Sequence, residues 1–145
     1  MSPKQAGRHK LTVCFGRLTP YMQRKELPVI QKLYDLILWF TNHLDNYPKA
    51  RRFTLGRRIE DNLYDLLELC IEARYSGDQR EKLGFLKKAN TRLETLRYFI
   101  RLCHAQKLMS NNQLKFTGEQ LNDIGQALGG WIKEVRERKA PYEKT

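Results

Sequence analysis

Four arginines within eight residues, Arg51, Arg52, Arg57 and Arg58 in the stretch RRFTLGRR, stand immediately before a long amphipathic run. Guanidinium groups at this density suit phosphate or carboxylate, which they grip through paired N–H donors. They fall near the predicted start of a helix, where the macrodipole is positive and a cation costs about 0.3–1 kcal/mol. An anionic partner would offset that cost. Local pairing of Arg57 and Arg58 with Asp61 is the alternative, and it contributes only a few tenths of a kcal/mol.

A second basic group is Lys87, Lys88, Arg92, Arg97 and Arg101. From Gly77 to Met109 there are eight Lys or Arg against three acids. Helical geometry puts Lys87, Arg97 and Arg101 in one strip with Glu94 among them, and Lys88 and Arg92 in another. A solvated helix face is the competing explanation. Tyr98, near the outer side of the same helix, is placed to stack on a base, though a tyrosine at the boundary between core and solvent is the favoured reading.

Catalytic chemistry has little to work with. The three histidines form no Glu-x-x-His pair of the kind that bundle di-iron sites use, and no HExxH, glycine-rich phosphate loop or GxSxG occurs. Cys103 and His104 are adjacent but point apart on a helix, so they make no nucleophile–base pair. Cys70 and Cys103 read as small core residues. No metal, no cofactor and no enzymatic activity are expected. Three cysteines (Cys14, Cys70, Cys103) without CxxC spacing suggest no disulfide framework and fit a reducing cytoplasm.

The length of 145 residues suits one domain, and a formal charge of +11 makes polyanions the leading partners. Nucleic acid ranks first, an anionic membrane surface second and an acidic protein third. The longest purely apolar run, Leu36 to Phe40, is five residues, against roughly 20 needed to cross a bilayer.

The elements that must carry these groups are helices. Residues 1–26 hold six Lys or Arg and one acid, broken by Pro3, Gly7, Gly16 and Pro20; they read as a disordered basic arm, with Met22 a candidate true start. A first helix is predicted from Pro28 to an end near Asp45 to Pro48, on Val29, Ile30, Leu33, Leu36, Ile37, Phe40 and Leu44. Leu38 and Trp39 lie off that stripe and point to a subunit interface, or Trp39 simply covers a loop. The second helix runs on Ile59, Leu63, Leu66, Leu67, Cys70 and Ala73, with Gly77 as a left-handed cap. Asp78 and Glu81 suggest a capping box for the third, which carries Leu86, Ala89, Leu93, Leu96, Ile100 and Cys103 to about Met109. Thr117 and Gln120 repeat that pattern before Leu121, Ile124, Leu128, Ile132 and Val135. Gly125, Gly129 and Gly130 inside this last helix imply close helix approach. The expectation is an all-α, up-down-up-down antiparallel four-helix bundle over residues 27–139, with a frayed tail over 140–145.

Four segments carry a family resemblance. LPVIQKLYDLILWF, RRFTLGRRIEDNLYDLLELCIEARYS, KKANTRLETLRYFIRLCHAQKLMS and LNDIGQALGGWIK, in that order, resemble the accessory variability determinant proteins of diversity-generating retroelements. The resemblance implies a basic four-helix-bundle subunit that assembles into a homo-pentamer. It also implies partnership with the element's reverse transcriptase and with template RNA or cDNA, in support of mutagenic cDNA synthesis. It implies no catalysis, and the YxDD signature of a polymerase is absent. Two alternatives remain: a bundle of the ribosomal RNA intervening-sequence type, and a scaffold that binds an acidic partner without touching RNA.

Overall fold

The computed structural model describes residues 26–138. Apolar residues at three- and four-residue spacing give one buried face to each of four long helices. These are α1 (Glu26–Leu44), α2 (Arg57–Tyr75), α3 (Gln79–Ala105) and α4 (Asn111–Glu137). α2 packs on α1 and α3, and α4 packs on α3 and α1, so the four close into an up-down-up-down ring. No strand occurs among the described residues.

The core is continuous through all four helices. Leu33, Phe40, Ile59, Leu63, Leu66, Leu86, Leu93, Leu96 and Leu121 are all but fully enclosed. Each such side chain contributes about 1.5–3 kcal/mol over its exposed state, which is what holds helices of modest intrinsic propensity together. The predicted stripes of α1, α2 and α3 are buried, save that Ile30 and Leu67 are half-buried. In α4 the buried residue is Trp131, and the expected Ile132 is only half-buried. Trp131 brings the larger apolar surface, and the two cannot share one narrow face.

Helix ends depart from expectation in instructive ways. Pro28 lies two residues inside the described start of α1 rather than at it. Gly77 does not take a left-handed conformation; Ser76 ends α2 in extended backbone instead. Asp78 does cap α3, accepting from Arg80 N at 3.2 Å, but Glu81 receives the Ser76 hydroxyl and does not complete the box.

α3 stops at Ala105, short of Met109, because Lys107 turns left-handed at φ 62°. Leu108 N then bonds Cys103 O and Lys107 N bonds His104 O, the paired closure that terminates many helices. The cap of α4 lies seven residues before the predicted one. Ser110 and Gln113 form the capping box, and Thr117 is buried within the helix, donating to Gln113 O at 2.9 Å. The basic arm, apart from Glu26, which is helical, and the start at Met22 and the tail lie outside the described residues.

Candidate nucleic-acid interface

The arginine-rich stretch is helical from end to end. Pro48 precedes a single α turn, Lys49–Arg51, which runs into a π-helical segment, Arg52–Gly56, and on into α2. The Thr54 hydroxyl donates to Ala50 O at 2.7 Å, competing for a carbonyl that an α ladder would use. Gly56 is buried at the end of the widened turn. A Cβ there would meet Leu44 Cδ2 at 3.2 Å and Arg51 O at 3.3 Å, tighter than side chains ordinarily pack. The corner between α1 and α2 thus closes on a bare backbone.

This continuity changes the dipole argument. Arg57 and Arg58 stand two turns inside the helix, where the terminal field has decayed. The unfavourable placement holds for Lys49, Arg51 and Arg52, in a first turn with no acid and no side-chain cap. Arg52 lies over the Phe53 ring at 5.2 Å and reaches Asp45 O at 3.5 Å, and its buried Nε has no partner among the described residues. Arg51, Arg57 and Arg58 are exposed, with no carboxylate in ion-pair range among the described residues.

The basic residues of α3 divide between its two edges. On the α2 side, Arg92 pairs with Asp65 at 4.0 Å, and Lys88 shares the groove with Asp65, Glu68 and Glu72. That groove is close to neutral. On the α4 side, Arg97 donates to Asn122 Oδ1 at 2.7 Å and to Leu121 O at 3.3 Å, with Glu94 at 3.2 Å. Its guanidinium ties two helices together. Arg101 lies over the Tyr98 ring at 5.3 Å, and Lys87 is exposed. The structure therefore gathers neither all nine cations nor all five of α3 into one patch.

What it does gather is charge at one end. Trp39 meets Phe116 with ring centroids 5.3 Å apart, and Tyr47 lies beside Cys103. The α1–α2 and α3–α4 links therefore lie together. Residues 41–58 and 98–118, the links with their flanking turns, carry eight Lys or Arg and a single acid, Asp45. The other described residues carry eleven against fourteen acids. Lys49, Lys107 and Lys115 belong to this basic end although the sequence pattern did not single them out; neither did it single out Phe53. The signal was available as arginine next to aromatic, in RRF and again in RYFIR.

The two described thiols, Cys70 and Cys103, are buried. Burial pushes the Cys70 thiol up to about 12 and raises that of Cys103. Burial, then the Cys103 neighbour, raises Tyr47. His43 donates Nδ1–H to Trp39 O at 2.7 Å and stacks on the indole at 3.8 Å. Among the described residues no cluster of His, Cys, Asp or Glu could hold a metal ion, and no helix is long and apolar enough to cross a membrane. Leu38 is 48 % exposed, while Trp39 is half-buried over the α1–α4 seam against Phe40, His43 and Phe116.

A closed up-down-up-down antiparallel bundle with two enclosed thiols and a cation-rich end places the chain among the all-α four-helix bundles. More narrowly, the bAvd-like family matches residues 27–135, so the chain belongs to that family, the accessory variability determinants of diversity-generating retroelements. It is an accessory, non-catalytic family. No curated protein matches the sequence.

Proposed function

We propose that this chain is an oligomeric, non-catalytic subunit that holds template RNA or cDNA at its link end for the element's reverse transcriptase. The observation that carries the reading is the eight-to-one excess of cations over acids in the two link segments. Unpaired guanidinium groups on a helix recruit phosphate by charge and by released counterions, without reading sequence. Arg51, Arg57, Arg58 and Arg101 supply the contacts, while Lys87 lies outside the link segments, nearer the other end of α3. Arg97 acts in the fold.

Lys88 and Arg92 fit a different partner. Their groove alternates both signs of charge, an arrangement suited to a protein surface and unsuited to a polyanion. We assign it to the polymerase. Leu38 and Trp39, with Phe116 beside them, form the apolar patch for contact between copies. In a homo-pentamer five basic ends would share one rim.

An RNA mobility shift without polymerase tests this. Changing Arg57→Glu with Arg58→Glu lowers affinity by about tenfold or more, since two phosphate contacts become repulsions. Changing Lys88→Glu with Arg92→Glu leaves RNA binding near wild type and weakens co-purification of the polymerase. RNA affinity indifferent to the first pair contradicts the reading.

A further inference from the structure

We infer that the basic end takes unpaired nucleotides in preference to a duplex, with Tyr98 and Phe53 as stacking platforms. The inference rests on the polyanion reading and goes beyond it in naming the form of the ligand. Tyr98 is 62 % exposed and Phe53 is 58 % exposed, far from the boundary position a structural tyrosine would take. Each lies in one of the two cation-rich segments, and each has an arginine over one face: Arg101 at 5.3 Å from the Tyr98 centroid, Arg52 at 5.2 Å from that of Phe53.

An aromatic ring standing among unpaired cations has no partner on a duplex. Duplex bases are stacked internally, and a projecting ring only holds the phosphates away. On a single strand the ring accepts a base, the guanidinium beside it strengthens the stack, and neighbouring arginines take the flanking phosphates. Electrostatics alone argues the other way, because a duplex of equal length carries twice the phosphate charge. A preference for the single strand therefore reports stacking and not charge.

The molecule contains its own control. Tyr75 is 72 % exposed with Arg74 at 5.1 Å from its centroid, the same local pair, but it lies among the residues where acids outnumber cations. The same stack is therefore offered there without the surrounding positive field.

Fluorescence anisotropy with oligouridylate, oligothymidylate and a duplex of matching length, at one salt concentration, tests the inference on the full chain. Wild type binds both single strands more tightly than the duplex. Tyr98→Leu and Phe53→Leu each weaken single-strand binding by about fivefold or more and leave duplex binding and helix content unchanged. Tyr98→Phe keeps wild-type affinity, and Tyr75→Leu changes nothing. A tighter duplex, with Tyr98→Leu and Phe53→Leu indifferent, overturns stacking while the polyanion reading stands. No binding of any probe by wild type overturns both.

Discussion

Arg97 lies across Gly125. Its Nη2 is 2.8 Å from the point a Cβ on that glycine would occupy and donates to the Leu121 carbonyl, while Nη1 donates to the Asn122 amide oxygen. Gly125 is thus the space in which α3 is fastened to α4. At Gly129, one turn on, a Cβ would meet nothing within 4 Å, and no such fit exists. The space at Gly125 is filled by α3 side chains, Arg97 and Leu93, while at Gly129 nothing lies within reach.

Alanine substitution separates the two. Gly129→Ala stabilises by about 1 kcal/mol through helix propensity. Gly125→Ala gains the same propensity but displaces Arg97 from its acceptors, so its net effect lies near zero or below. In an Arg97→Met background Gly125→Ala recovers the gain, a coupling that a double-mutant cycle in urea reads directly. Equal effects of the two glycine changes would show that Arg97 is not held there.

Lys107 offers a simpler test. A non-glycine residue at φ 62° carries about 1 kcal/mol of backbone strain. Lys107→Gly removes it at some cost in unfolded-state entropy and raises the unfolding midpoint modestly. A lowered midpoint would mean the lysine side chain contributes more than its backbone costs.

Much of this fold was legible in the residues. The core stripes of α2 and α3 follow from periodicity alone, because Ile59 to Ala73 and Leu86 to Cys103 bury at regular spacing. Capping was not decidable locally: Ser110–Gln113 and Thr117–Gln120 carry equivalent patterns, and the choice depends on Thr117 being buried. The π-helical segment was invisible because no residue pattern in RFTLG marks it, and the close fit of Gly56 against Leu44 is a contact with another helix. Arg97 and Arg101 are one turn apart and alike in sequence context, yet α4 claims one and leaves the other beside Tyr98.

The buried thiols predict an alkaline limit. Cys70 titrates near 9.0 when unfolded and near 12 when folded, so the folded state holds its proton more tightly. That contribution is fully present below the unfolded value and is lost as pH rises through the folded one. Unfolding midpoints of a Cys14→Ser variant fall from pH 9 upward. In native protein at neutral pH, Cys70 and Cys103 resist a thiol reagent until urea unfolds the chain. Rapid native labelling would contradict their enclosure.

Leu38 and Trp39 should behave differently when changed. Leu38→Glu touches an exposed position and leaves the monomer's stability within about 0.5 kcal/mol, while sedimentation shows a smaller assembly. Trp39→Ala removes the lid over Phe40 and Phe116 and destabilises by about 2 kcal/mol or more. An assembly indifferent to Leu38→Glu would place the contact between copies elsewhere.

The central claim is that the link end binds nucleic acid through phosphates, and a salt titration of RNA affinity without polymerase tests it most directly. The logarithm of affinity falls linearly with the logarithm of salt, and each arginine removed from Arg51, Arg57 and Arg58 reduces the slope by about 0.7. A flat salt response, or a slope unchanged in the triple variant, would contradict it.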